Sequence, residues 1–176
     1  ADMAELEKCL QEAQAQRHRI IVTDGVFSMD GNVAPMDKIC DLAEKYDALV
    51  MVDESHPAGA VGATGHGVAE QYDVYGRVDI FTGTLGKAFG GAMGGFTTGR
   101  KEIIDMLRQR SRPYLFSNSV APAIVGASIE MFKILKESNA LHDKLMHNVT
   151  YFREKMLAAG FDIKPTQSAI CAVMLY

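Results

Sequence analysis

Three short apolar runs, Arg19 to Thr23, Ala48 to Val52 and Val78 to Thr82, alternate with helical and glycine-rich segments. That alternation limits the chain to an α/β architecture, a mostly parallel sheet flanked by helices. Between the first two runs, Pro35 to Tyr46 carries Ile39, Leu42, Ala43 and Tyr46 at helical spacing, with Pro35 suited to a first turn. Between the second and third, glycines 59, 62, 65 and 67 mark a loop that leads to a short helix near Val68 to Tyr72. A fourth run, Gly94 to Thr98, precedes a charged helix from Lys101 to about Arg110. Strand, helix and strand in series predict parallel pairing through right-handed crossovers.

Beyond Pro113 the pattern changes. Ala121 to Leu135 is a long apolar helix, and Leu141 to Ala159 is an amphipathic one closed by Gly160 as a left-handed cap. The last run, Ala169 to Tyr176, has the look of a strand. The expected division is a large domain over residues 1–138 and the start of a smaller α+β domain over residues 139–176, with the boundary at Ser138-Asn139. The chain opens inside a helical pattern (Met3, Leu6, Leu10, Ala13) without an initiator methionine, so it is expected to be a central piece of a larger protein.

Composition excludes several classes. With 48% hydrophobic and 23% charged residues the chain is not disordered, and a net charge of −4 disfavours a general binder of nucleic acid or anionic membrane. The three cysteines, Cys9, Cys40 and Cys171, sit within apolar or helical patterns and point to reduced thiols, not a disulfide framework. No apolar run approaches the length of a membrane span.

Two motifs carry the chemistry. Asp53-Glu54-Ser55-His56 follows the second apolar run, and Leu85-Gly86-Lys87-Ala88-Phe89-Gly90-Gly91 follows the third. In a parallel sheet the carboxyl ends of the strands share one edge, where α/β proteins bind ligands. An acid, an imidazole and a lone lysine among glycines meeting there match a pyridoxal phosphate site, which needs a Schiff-base lysine and an acidic partner for the ring nitrogen. Asp53 would favour the protonated ring, His56 would reach the phenolic oxygen, and Thr84 with loop N–H groups would hold the phosphate. Lys87, its pKa lowered in a cationic site, would act as base once displaced from the cofactor.

Each residue has a plainer reading. Lys87 is otherwise an exposed loop lysine, and Thr84 an ordinary strand-end threonine. A phosphate-cradling P-loop fails, because Gly83 and Gly86 are two residues apart and Ala88 replaces the required hydroxyl. Asp53-Glu54-Ser55-His56 also imitates a helicase ATPase motif, with Thr82-Gly83-Thr84 downstream as a partial echo, although no basic stripe accompanies it. No second ligand stands at helical spacing from His56, so no metal is expected.

Four segments together resemble the α-oxoamine synthase family of fold-type I pyridoxal phosphate enzymes: Thr23-Asp24-Gly25-Val26-Phe27-Ser28-Met29-Asp30-Gly31, Val52 to His56 with its glycine-rich tail, Gly83 to Ala88, and Arg108-Gln109-Arg110-Ser111-Arg112-Pro113-Tyr114-Leu115-Phe116-Ser117-Asn118-Ser119. The likeness spans essentially the whole chain and would cover under half of a typical member. It implies the fold-type I large domain with the beginning of the small one, and pyridoxal 5'-phosphate as cofactor. It implies further that Lys87 forms the Schiff base, Asp53 pairs with the pyridine nitrogen, His56 and Ser28 approach the phenolic oxygen, and Thr84 binds the phosphate. Ser117 and Asn118 are implied to reach the phosphate in the partner subunit of a homodimer with shared active sites; their plainer role is a cap or turn before the following helix. The run around Pro113 favours the branch that joins glycine to acetyl-CoA over the 5-aminolevulinate, biotin-pathway and sphingolipid branches. Pro57, where a small residue is expected, bears on substrate choice and not on the cofactor. A ring stacked on the cofactor and an arginine for the substrate carboxylate are expected outside this chain, so these residues alone are expected to be inactive. The family implies a cytoplasmic protein in a bacterium or a mitochondrial one in a eukaryote, not a secreted one.

Overall fold

Successive strand residues face opposite sides of a sheet, and the β-branched runs use that period to bury one face against a helix. In a computed structural model describing residues 1–91 and 93–176, β1 (Ile20–Asp24), β2 (Leu49–Asp53), β3 (Ile80–Thr84) and β4 (Gly95–Gly99) form one sheet in the order β1-β2-β3-β4. β1 and β2 pair in parallel with Asp24 opposite Asp53, and β2 and β3 in parallel with Asp53 opposite Thr82. β3 and β4 pair antiparallel, with Thr84 opposite Gly95. Parallel pairing through crossovers therefore stops at β3: the described residues of the glycine loop between β3 and β4 form no helix, and the chain doubles back.

Helix α1 spans Met3–Glu12 and is capped by Asp2, whose carboxylate accepts the N–H groups of Ala4 and Glu5. Helix α2 spans Met36–Lys45 and presents Met36, Ile39, Cys40 and Ala43 to the sheet. These pack with Leu10 of α1 and with Ile21, Val50 and Val52 on one sheet face. Each such fully buried aliphatic side chain contributes about 1.5–3 kcal/mol. Burial pushes the Cys40 thiol up to about 11, which fits an inert core cysteine. All three cysteines are free.

The remaining helices are α3 (Val68–Gln71), α4 (Lys101–Arg110), α5 (Arg112–Phe116), α6 (Pro122–Glu137) and α7 (Ala140–Ala158). Six agree with the sequence reading in type and in place to within about two residues, whereas α5 was not foreseen because its five residues are too few to show a period. Gly160 ends α7 with φ +86, and the Phe161 N–H reaches back to the Met156 carbonyl. The expected closing strand over Ala169 to Tyr176 does not form. Only a single bridge, Ile163 to Val173, stands there, because no described strand lies beside the run to complete a ladder. β3 also begins later than its apolar run, at Ile80, since Asp79 is spent on other bonds: its carboxylate accepts the Val50 N–H at 2.9 Å and pairs with Arg100 at 2.9 Å.

Candidate active site

β2 delivers two adjacent acids to opposite faces. Val50 and Val52 point into the core, so Glu54 follows them inward and Asp53 faces the other way. Asp53 is half-buried, and its carboxylate accepts the Ser55 N–H at 2.6 Å. Burial pushes the Asp53 carboxyl up, but the hydrogen bonds from Ser55 and Thr82 and the charge of Lys87 outweigh it and hold the group below the usual carboxylate range. Asp53 is thus an anion at neutral pH, as a partner for a protonated ring nitrogen must be.

Glu54 has the opposite fate. Only 5% exposed, it accepts the Val68 N–H at 3.0 Å and the Ala69 N–H at 3.4 Å at the start of α3. Burial dominates those bonds and pushes its carboxyl up to about 7. The sequence reading gave Glu54 no role, although the inward positions 50 and 52 already signal that position 54 continues their face.

After β2 the chain turns tightly, with the Ala58 N–H on the Glu54 carbonyl at 2.9 Å, and this brings His56 round toward the end of β3. From β3, the loop at residues 85–94 is closed by the Leu85 N–H on the Gly94 carbonyl at 2.9 Å and the Gly91 N–H on the Leu85 carbonyl at 2.6 Å. Buried Leu85 anchors it and exposed Lys87 projects from it. Lys87 Nζ lies 3.4 Å from His56 Nδ1. Thr84, the last residue of β3, donates its hydroxyl to the Gly94 carbonyl at 3.2 Å and accepts the Gly86 N–H at 3.1 Å. A side chain added at Gly86 would find no heavy atom nearer than 3.6 Å, so space for a ligand lies beside that hydroxyl.

Asp53, His56, Thr84 and Lys87 are therefore gathered at one edge, as expected. Ser28 is not bonded to any of them: it sits exposed at the tip of the loop that follows β1, whose Gly25 N–H is held by the Asp53 carbonyl at 2.9 Å. Ser117 and Asn118 lie exposed between α5 and α6, outside this cluster. Neither caps α6, which begins behind Ala121 with Pro122 in its first turn. An apolar cavity of about 300 Å³ lined by Phe81, Phe96, Phe132 and Glu54 lies on the Glu54 face, and Lys87 does not line it. Among the described residues no cluster of His, Cys, Asp and Glu is arranged to hold a metal, and no helix is long and apolar enough to cross a membrane.

A lysine amine beside an imidazole, an ionised aspartate and a strand-end hydroxyl is a donor set that suits an aldehyde cofactor with a ring nitrogen and a phosphate. Comparison with known proteins agrees. The chain is 59% identical over 176 residues to the 2-amino-3-ketobutyrate coenzyme A ligase of Salmonella typhimurium, covering 99% of this chain and 44% of that protein. It is 53% identical over 174 residues to the mitochondrial 2-amino-3-ketobutyrate coenzyme A ligase of Bos taurus, covering 99% and 42%. The chain thus spans under half the length of the curated relatives it matches. A solved structure of serine palmitoyltransferase from S. paucimobilis, with a bound PLP-myriocin aldimine, superposes with a TM-score of 0.92 at 31% identity over 99% of this chain and 46% of that one. The fold is that of the fold-type I large domain. The family model described as aminotransferase class I and II matches residues 1–176, and the chain belongs to that family.

Proposed function

We propose that this chain carries the pyridoxal 5'-phosphate site of a glycine C-acetyltransferase, a 2-amino-3-ketobutyrate coenzyme A ligase that condenses glycine with acetyl-CoA to 2-amino-3-oxobutyrate and free CoA, or runs the reverse cleavage. The observation that carries this reading is the 3.4 Å approach of Lys87 Nζ to His56 Nδ1 beside an ionised Asp53 at the carboxyl edge of the sheet. Its similarity to the Salmonella and Bos taurus ligases supports the choice of acyl group. A helicase reading of Asp53 to His56 has no support in a family of this kind.

The cofactor, when bound, supplies an electron sink for the electrons left on the glycine α-carbon. The chain's own residues would supply part of what surrounds it. Asp53 keeps a proton on the ring nitrogen by remaining anionic. Lys87 would hold the cofactor covalently, and its Nζ is the amine that would take the α-proton. His56 and Ser28 donate to the phenolic oxygen, and Thr84 Oγ1 holds the phosphate. The deprotonated carbon then bonds to the thioester carbonyl carbon as the C–S bond breaks and CoA leaves. Positioning and charge stabilisation are the protein's share of the barrier.

In the same reading Ser117 and Asn118 reach the cofactor phosphate of a second subunit, which makes the protein a homodimer with shared sites; their exposure leaves them free for this. Residues 1–138 form part of the cofactor-binding domain and residues 139–176 begin the smaller one, the break falling where Ser138 leaves α6 with extended backbone. A cytoplasmic location in a bacterium or a mitochondrial one in a eukaryote accords with the relatives. Borohydride reduction of the full-length protein should leave a pyridoxyl group on the peptide carrying Lys87, and CoA release should require both glycine and acetyl-CoA. Loss of the adduct refutes the cofactor site; preference for succinyl-CoA refutes the acyl choice alone.

A further inference from the structure

The loop that carries Ser28 folds back on itself, with the Phe27 N–H on the Asn32 carbonyl at 2.9 Å and the Gly31 N–H on the Phe27 carbonyl at 2.8 Å. These bonds shape the turn, and buried Val26 and Ala34 seat its base in the core. The tip is held by residues some 135 positions away in sequence: Thr166 Oγ1 and Ser168 Oγ both donate to the Gly31 carbonyl, the second at 2.8 Å, and Lys164 Nζ pairs with Asp30. Ser168 is 2% exposed. Its own position is set from α7, because Arg153 Nη2 donates to the Ser168 carbonyl at 2.5 Å and to the Ile170 carbonyl at 2.9 Å. Fit is close as well as polar. Gly31 has φ +74, and a side chain there would meet Ser168 Oγ at 2.8 Å and Ile170 Cβ at 3.0 Å.

Two hydroxyls on one carbonyl, next to a residue in left-handed backbone, are a device for fixing a tip and not for building a core. We propose that Thr166 and Ser168 are positioning residues that hold Ser28 against the cofactor's ring oxygen, so that the setting of α7 and the segment after it is transmitted to the cofactor through Gly31. This rests on the reading of Ser28 and Lys87 as cofactor contacts. The chemistry follows from charge: a hydroxyl donated to the ring oxygen stabilises its anionic form, and slackening that bond makes the neighbouring proton harder to remove.

The test uses the full-length holoenzyme and the pH midpoint of its visible cofactor band. Ser28→Ala should move the midpoint to higher pH. The double change Thr166→Val with Ser168→Ala should move it the same way, by roughly half a unit or more, while Thr166→Ser restores the parent value. Adding Ser28→Ala to the double variant should bring the midpoint to that of Ser28→Ala alone and no further, since both act through one bond. If the double variant fails to fold, Thr166→Val alone gives the same comparison at smaller amplitude. A midpoint that moves with Ser28→Ala and stays put in the Thr166 and Ser168 variants overturns the proposal and leaves the cofactor site standing. Additive shifts overturn it too, and so does a Ser28→Ala variant that titrates like the parent. A parent protein without a visible band removes the underlying cofactor reading instead.

Discussion

Replacing Glu54 by Gln should remove the pH dependence of stability that one buried position contributes. Glu54 ionises at 4.5 in the unfolded chain and at about 7 in the folded one, because burial outweighs the two N–H groups it accepts. Between those values the native state binds a proton that the unfolded state has released, so stability falls as pH rises. The full loss, present above about pH 7, is about 3 kcal/mol from that displacement. Gln keeps an acceptor for the Val68 and Ala69 N–H groups but places an amide where the second oxygen lay, at a cost of about 1 kcal/mol independent of pH. The two stability curves should therefore cross near about pH 5, with the variant ahead by about 2 kcal/mol at pH 8. Urea denaturation of the cofactor-free full-length protein, followed by circular dichroism from pH 4 to 8.5 at fixed ionic strength, measures the difference without the linkage that cofactor binding would add. A difference that stays flat with pH, or one in which the parent gains on the variant as pH rises, would refute the assignment of a neutral, buried Glu54.

Lys87→Ala should abolish the pyridoxyl adduct and the glycine-dependent change in the visible spectrum while leaving the far-ultraviolet circular dichroism unchanged. Asp53→Asn should lower kcat by about 10²-fold or more, as expected when a charge-assisted interaction of about 3 kcal/mol is lost from the electron sink. Because the carboxyl of Asp53 is held below its ordinary range, its contribution in the parent should be constant through neutral pH and disappear only in acid, which a kcat profile would read directly. Asp79→Ala strands the buried Val50 N–H and should cost about 1–3 kcal/mol in urea denaturation; an Arg100 substitution should cost far less, since its side chain is 68% exposed. Gly83→Ala places a methyl group 2.6 Å from Phe96 Cζ and should lower the thermal midpoint by displacing that ring from Phe132.

What could be seen in the sequence was local. Ile39, Leu42 and Ala43 announce α2 through their own spacing, and Lys101 to Arg110 announces α4, because a helix is written in residues three and four apart. The lysine and aspartate motifs were legible for the same reason: each is a strand end followed by an unusual short string, and both strings remain contiguous after folding. Asp53, His56, Thr84 and Lys87 do meet at one edge because parallel pairing puts the ends of β2 and β3 side by side. The terminal run Ala169 to Tyr176 does not form the expected strand, because a continuous apolar run marks a segment able to pair, while pairing itself needs a neighbour with a free edge.

The sequence by itself determined which chemistry was available, an amine, an imidazole, a carboxylate and a hydroxyl at strand ends, and the periods from which strands and helices arise. Tertiary structure decided what each group becomes. Asp53 and Glu54 are adjacent acids of similar intrinsic acidity, yet one stays an anion and the other is pushed up to about 7, because the strand turns them to opposite sides: burial of Asp53 is outweighed by the Ser55 and Thr82 hydrogen bonds and the Lys87 charge, whereas burial of Glu54 outweighs the two N–H groups it accepts. Lys87 and His56 stand 31 residues apart and Ser168 and Gly31 stand 137 apart, so their contacts depend on the packing of whole elements and leave no mark in any short stretch of chain.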